Sequence, residues 1–196
     1  MNKMNLKNYW ISKLIIIIGI FFFNSANADV KLKASQQVSN FLNQIKNFAS
    51  EKEKLKKEKM SSQLLNLIDI EFMSKVTVGK QWKTVSVNEK NLFKKKLFGK
   101  FVQFIDLHLE DFKEVKFNEK SIKLRGEKLV YVTGSIDTKK IKNLDIIWKL
   151  SSKGNKILDV EIEKISLIKT QKMEMKALLK KYKNDFSKFI EIYFSN

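Results

Sequence analysis

Side chains able to carry out acid–base or nucleophilic chemistry are sparse in this chain, and they form no catalytic pattern. His108 is the only imidazole in 196 residues, and Asp106, Glu110 and Asp111 are close to it in sequence. A serine hydrolase would also need a nucleophilic serine on a strained turn, but no Gly-x-Ser-x-Gly sequence is present. We therefore interpret His108 as a boundary residue on a helix and predict that the protein is not an enzyme.

The residues of the common metal and cofactor sites are missing as well. The absence of cysteine excludes thiolate zinc sites, cysteine nucleophiles and disulfide scaffolds, and a single histidine cannot form a multi-histidine site. Nothing in the sequence pairs Asp69 and Glu71 with a further carboxylate, and the spacing of a calcium-binding loop does not occur. A metal site formed by carboxylates alone remains an alternative. There is no P-loop and no Gly-x-Gly-x-x-Gly sequence. We predict no cofactor.

The charge balance is strongly basic, with 39 Lys and Arg against 21 Asp and Glu and a formal net charge of +18. Arg125 is the only arginine, whereas surfaces that bind phosphate favour the planar fork of arginine. The chain is also rich in Lys, Asn, Ile and Phe and has no proline, as an A+T-rich genome would encode. We interpret most lysines as solvated and predict no nucleic-acid partner. A basic protein that binds an anionic polymer is an alternative, and its affinity would fall steeply with salt.

The N-terminus has the pattern of a cleaved secretory signal over residues 1–28. Lys3, Lys7 and Lys13 precede a ten-residue apolar run, residues 14–23, and small residues stand where signal peptidase reads the chain. We predict cleavage after Ala28 and a single domain over residues 29–196. Ten apolar residues are too few for a spanning helix, which needs about twenty, so an uncleaved anchor is the weaker alternative. Export predicts a periplasmic protein.

Apolar residues at three- and four-residue steps predict helices in the first part of the mature chain. One helix is expected over about residues 30–50, and a second apolar stripe begins at Leu64 and ends near Gly79, a candidate C-cap. Between them, Glu51 to Lys59 is a charge run that we interpret as a solvated helix face or linker rather than a membrane-binding patch, because glutamates are interleaved. Ser86 and Glu89 form a capping box before a long helix over about 87–110.

The period then changes from three or four residues to two, which predicts strands. Apolar residues alternate along about 130–136, 144–150 and 158–162, with short polar connections between these segments. Helical spacing returns after Ser166. Helices, then an antiparallel meander, then helices predict an α+β fold in which helices pack on one face of an antiparallel sheet.

Two stretches carry a recognisable pattern: Val78-Gly-Lys-Gln-Trp-Lys-Thr-Val-Ser86, followed by Glu89 and Phe93, and later residues 145–148, 154–160 and 161–167. They resemble the signatures of the MlaC family, periplasmic phospholipid-binding proteins also called the toluene-tolerance family. The first is similar to the family's LGxxWxxAs…Q…F stretch, and the second to its Trp-bearing strand, turn, I-x-D-V strand and EGVS element. The order matches over about 35–190. The chain departs from the family at Val78, where Leu is usual, at Lys164, where Gly is usual, and in lacking a clear Tyr-Ala pair after the middle of the long helix.

This resemblance implies a cone like that of nuclear transport factor, in which sheet and helices enclose an apolar pocket for acyl chains. It also implies a carrier that moves phospholipid between an outer-membrane lipoprotein–porin complex and an inner-membrane ABC transporter, maintaining the lipid asymmetry of the outer membrane. An exported enzyme on the same fold and a binder of another small hydrophobic molecule are the alternatives. The residues expected to line the pocket are apolar positions of the second stripe, the long helix and the strands: Phe72, Val76, Phe93, Leu97, Phe101, Ile105, Val130, Val132, Ile146, Trp148, Val160 and Ile162. Sequence alone does not separate pocket lining from filled core.

Overall fold

The structure is a computed structural model that describes residues 6–50, 56–126, 128–183 and 185–194. In the first range side chains are described only from residue 27 onward, and in the second only from residue 59 onward. Five helices come first: α1 Leu6–Ser50, α2 Lys56–Leu65, α3 Ile70–Val78, α4 Val87–Leu107 and α5 Leu109–Phe112. The strands follow: β1 Lys116–Arg125, β2 Leu129–Asp137, β3 Leu144–Ser151, β4 Ile157–Ile162 and β5 Ile165–Ser166. Helices α6 Leu167–Lys181 and α7 Phe186–Tyr193 end the described chain.

The five strands form one antiparallel sheet in the order β1-β2-β3-β4-β5, so the predicted α+β fold with a meander is confirmed. The three strand segments predicted at about 130–136, 144–150 and 158–162 correspond to β2, β3 and β4, whereas no segment was predicted for β1 or for the two-residue β5. Residues 1–26 of the predicted signal and residues 51–58 of the charge run lie outside the residues whose side chains are described. Among the described residues, no helix is both long and apolar enough to cross a membrane.

Helix α1 covers the sheet with an apolar stripe at helical spacing. Its buried residues run from Ala34 through Val38, Phe41 and Ile45 to Ala49, and they pack above β1 and β2. The β3–β4 turn closes on the start of this helix. Gly154 has a φ of +67°, and a Cβ there would lie 2.7 Å from the carbonyl oxygen of Val30, so only glycine fits. The turn motif that resembles the MlaC signature therefore fixes α1 on the sheet.

Two separate cores result. The first core lies between the sheet, α1, α2 and the C-terminal part of α4, and it includes Phe41, Ile45, Phe48, Met60, Leu64, Val102, Ile105, Val130, Val132, Trp148 and Leu150. The second core joins the end of α3, the start of α4 and the two C-terminal helices, and it includes Val78, Trp82, Phe93, Met175, Leu179, Phe186, Phe189, Ile190 and Tyr193.

The first family-like stretch builds the second core. Gly79 is the C-cap of α3, as predicted, and Trp82 follows it in a short 3-10 helix. The capping box is confirmed: the Ser86 hydroxyl accepts from the backbone N–H of Glu89, whose carboxylate accepts from the backbone N–H of Ser86. Glu89 also accepts from the Ser187 hydroxyl at 2.7 Å, and hydrogen bonds from Ser86 and Ser187 lower the pKa of this carboxyl. This carboxylate ties α4 to α7.

The second family-like stretch holds α6 on the sheet. The Asp159 carboxylate accepts from the Ser166 hydroxyl at 2.7 Å and from the backbone N–H of Ile168 at 3.2 Å. Ser166 in turn caps α6, since its hydroxyl accepts from the backbone N–H of Lys169. A negative charge at a helix N-terminus is favourable because the helix dipole is positive there. The I-x-D-V and EGVS pattern thus corresponds to a structural joint.

Replacing Lys164 by glycine is expected to stabilise the fold. Glu163 and Lys164 form the two-residue β4–β5 turn with φ values of 48° and 66°, a left-handed conformation that favours glycine. Glycine relieves the backbone strain at this position, which stabilises the folded state, but its greater freedom in the unfolded chain offsets part of that gain. The net result should be a rise in the free energy of unfolding of up to about 1 kcal/mol. Thermal unfolding checks this. Lys139→Gly, in an exposed loop without a positive φ, is the control and should not stabilise.

Candidate functional site

The sheet's inner face, which α1 covers, has a gradient of burial across its strands. Val132, Trp148 and Val160 are paired neighbours on β2, β3 and β4, so their side chains share this face. Val132 and Trp148 are enclosed, whereas Val160 is half-buried. The next row behaves in the same way: Ile146 is 2% exposed, Ile162 is half-buried and Ile165 on β5 is 61% exposed. The third row, Val130, Leu150 and Ile157, stays enclosed as far as β4. The inner face therefore opens only at the end of β4 that carries Val160 and Ile162, and at β5.

Helix α4 is buried near both ends but only half-buried on the apolar side of its middle turns. Phe93 near its start is buried in the second core, and Val102 and Ile105 near its end are buried in the first. The turns between them carry apolar side chains that neither core encloses. We define the apolar seam as six half-buried residues of α3, α4 and β4 that pack against the edges of the two cores: Met73, Leu97, Phe98, Phe101, Val160 and Ile162.

Helix α4, whose apolar residues were predicted to line one pocket together with the strands, does not pack directly on the sheet. The Phe41 ring of α1 lies between the two elements, with centroids 6.3 Å from Phe101 and 5.4 Å from Trp148. The closest backbone neighbours of α4 are α2, α3, α5 and α7 rather than strands. Helix α1 takes the central position over the sheet, and α4 forms a second layer outside it.

The twelve residues predicted to line a pocket fall into three groups. Val130, Val132, Ile146, Trp148 and Ile105 are enclosed in the first core. Phe93 lies instead in the second core, 6.5 Å from Trp82 and 5.9 Å from Phe186 between ring centroids, and not over the sheet. The remaining six are half-buried or exposed: Phe72, Val76, Leu97, Phe101, Val160 and Ile162.

Sequence analysis did not single out Met73 and Phe98 as site residues. Both belong to apolar stripes that the sequence periodicity predicts. That periodicity does not show which apolar residues of a stripe are only partly buried in the folded protein. The separating signal is tertiary: it is how the helices cover the sheet, with α1 lying over β1 and β2, and no local pattern encodes it.

Polar groups around the inner face are few. The indole N–H of Trp148 and the side-chain oxygen of Gln44 are buried without a hydrogen-bond partner among the described residues. Leaving such a group unpaired costs about 1–3 kcal/mol. On the opposite face, Lys149 lies 2.9 Å from Asp159 and 2.7 Å from Glu161. Burial would lower the pKa of Lys149, but hydrogen bonds to Glu161 and Asp159 outweigh it and raise the pKa.

The histidine lies away from the seam, in a surface setting. His108 is the C-cap of α4, half exposed, with its ring centroid 4.7 Å from that of Phe104. Its Nδ1 is 3.6 Å from a carboxylate oxygen of Asp111, which also pairs with Lys140 at 2.7 Å, and the Lys140 hydrogen bond lowers the pKa of Asp111. This cluster joins α5 to the β2–β3 loop. The interpretation of His108 as a boundary residue is confirmed.

Comparisons with known proteins identify a family and, separately, a fold. A family model described as MlaC protein matches residues 32–192. A solved structure from Ralstonia solanacearum, a phospholipid-binding protein in complex with a phospholipid, superimposes with a TM-score of 0.70 and 13% sequence identity, covering 84% of this chain and 94% of that one. At this identity the likeness establishes the fold. No curated protein matches the chain in sequence.

Proposed function

The chain belongs to the MlaC family, and we propose that it is a periplasmic phospholipid carrier whose acyl chains lie along the apolar seam. The carrier shuttles lipid between an outer-membrane lipoprotein–porin complex and an inner-membrane ABC transporter, and so maintains the lipid asymmetry of the outer membrane. Export through the signal, with cleavage after Ala28, is part of this proposal. The phospholipid in the structural neighbour from Ralstonia solanacearum supports the choice of ligand.

The observation that carries the proposal is the loss of burial along the two inner-face rows towards β4 and β5. A filled core would enclose Val160 and Ile162 as it encloses Val132 and Ile146. Instead the seam presents apolar surface from three elements that converge on this edge. A ligand that covers such a surface must itself be apolar over most of its length, as an acyl chain is.

The energetics of transfer explain why a carrier needs such a surface. Each methylene exposed to water costs about 0.8 kcal/mol, so a diacyl lipid leaving a bilayer unprotected costs on the order of 20 kcal/mol or more. Contact with the aromatic and aliphatic side chains of the seam replaces that exposure. Binding and release require no covalent step, in keeping with His108 lying at the surface cluster with Asp111.

We expect organic extraction of the protein purified from a bacterial periplasm to yield phospholipid at a roughly constant ratio to protein. Mass spectrometry identifies the extracted molecule, and the intact mass of the same sample shows whether the chain begins at Asp29. Because apolar contact dominates retention, washing with about 1 M salt, where charges are screened beyond roughly 3 Å, should leave the ratio nearly unchanged.

Three results would contradict the proposal in different ways. Extraction of a different hydrophobic molecule favours the alternative binder on this fold. A polar metabolite in place of lipid favours an exported enzyme. Loss of lipid during the salt wash would indicate that electrostatic attraction holds it, and would favour the alternative of a basic protein that binds an anionic polymer.

A further inference from the structure

Helix α6 exposes a stripe of lysines that the lipid site does not use. Lys169, Lys172, Lys176 and Lys180 recur at steps of three and four residues, so they lie along one side of the helix, and all four are exposed. The adjoining side of α6 is buried through Ile168, Met175 and Leu179. The stripe therefore lies on the flank of α6 next to α3, where the Lys172 side chain passes close to Gly79.

These four charges are not neutralised within the protein. Among the described residues, no carboxylate lies within ion-pairing distance of them, whereas Lys94, Lys140 and Lys149 elsewhere are each paired with an acid. The one acidic residue of α6, Glu174, interacts with Gln171 on the other side of the helix. The stripe is therefore a run of four positive charges with no acidic side chain on its side of the helix.

Exposed apolar side chains accompany the stripe. Met173 lies beside it and is 66% exposed, and Ile165 on β5, just before the helix, is 61% exposed. Lysines flanking exposed aliphatic side chains are typical of helices that lie in the headgroup region of an anionic bilayer. An acidic protein partner would account for the lysines alone.

We propose that this face of α6, with Met173 and Ile165, docks the protein on an anionic phospholipid bilayer. Ile165 pairs with Ile162 of the apolar seam, so docking brings the open β4–β5 edge to the membrane surface. This consequence rests on the proposed lipid site. The docking itself depends only on the charge and exposure of α6.

Vesicle co-sedimentation tests the proposal with the exported protein. Vesicles of phosphatidylglycerol with phosphatidylcholine are compared with phosphatidylcholine alone, at low salt and at about 0.5 M salt, where screening is strong. The test variant carries Lys169→Gln, Lys172→Gln, Lys176→Gln and Lys180→Gln. The matched control removes the same charge from exposed lysines of the sheet and its loops: Lys116→Gln, Lys123→Gln, Lys139→Gln and Lys153→Gln.

One lysine at an anionic surface contributes about fivefold to partitioning, so the α6 variant should bind anionic vesicles at least about tenfold less well. The control variant should stay within about twofold of the unmodified protein. Met173→Ser should weaken the binding that persists at about 0.5 M salt, because that fraction depends on apolar insertion.

Equal losses in both four-site variants would show that net charge alone is responsible and would overturn the proposal. Absence of binding to anionic vesicles, or equal binding to phosphatidylcholine alone, would overturn it too; an acidic protein partner is then the remaining occupant. Lipid extracted from each variant is measured in parallel. Unchanged lipid with lost docking separates failure of this face from failure of the lipid site.

Discussion

Replacing Phe93 by alanine is expected to lower the free energy of unfolding by about 3–5 kcal/mol. The Phe93 side chain is fully buried, and its ring has centroid distances of 5.6 Å to Phe194 and 6.3 Å to Phe189. Truncation leaves a cavity where α4, α7 and the Trp82 turn meet. For a protein of this size the loss corresponds to a fall in melting temperature of roughly 10 °C. Thermal unfolding followed by circular dichroism measures it.

The neighbouring residue offers the control. Leu92 precedes Phe93 on the same helix and is 45% exposed, so Leu92→Ala should change stability by about 0.5 kcal/mol or less. Lipid per folded protein should be the same in both variants, because Phe93 lies outside the apolar seam. If the Phe93→Ala protein keeps its melting temperature and loses lipid, Phe93 lines the lipid site, as the sequence predicted, and is not a core residue.

The fold could be predicted from sequence where a local pattern has one physical interpretation. The Ser86–Glu89 box satisfies orphan backbone donors at a helix start, and any sequence context leaves that pairing intact. The alternation along β3 similarly fixes which side of the sheet Ile146 and Trp148 occupy, because a one-residue slip would reverse it. The observed register confirms this face for both.

The layer order could not be predicted in this way. Apolar stripes on α1 and α4 are both suited to covering the sheet, and their periodicity does not rank them. The close approach of Gly154 to the backbone of Val30 decides in favour of α1. That contact joins residues distant in sequence, so its consequence, Phe41 between Phe101 and Trp148, appears only in the folded chain.

The candidate site, like the fold, could be predicted from sequence only in part. Residue type identified the inner face correctly, since apolar side chains were expected there. Which of them are enclosed depends on how the helices cover the sheet. Val132 and Val160 are the same amino acid on the same row of the sheet, and only the structure separates them.

That pair yields the second prediction, in which one substitution has opposite effects at two positions. Val132 is fully buried beside Ile122 and Trp148, so Val132→Trp overpacks the first core and should cost about 1–3 kcal/mol or more. Val160 is half-buried at the open edge, where an indole can extend over the seam. Val160→Trp should keep stability within about 1 kcal/mol of the unmodified protein.

Bound lipid should respond in the other direction. In Val160→Trp the indole occupies surface that we assign to an acyl chain, so lipid extracted per protein should fall by roughly half or more, since a ligand depends on the space its site leaves free. Folded Val132→Trp should hold close to the normal amount. Melting temperature and extracted lipid are measured on one preparation of each variant. Lipid unchanged in Val160→Trp, or a loss of stability as large as that of Val132→Trp, would mean that Val160 belongs to a filled core and that the acyl chains lie elsewhere.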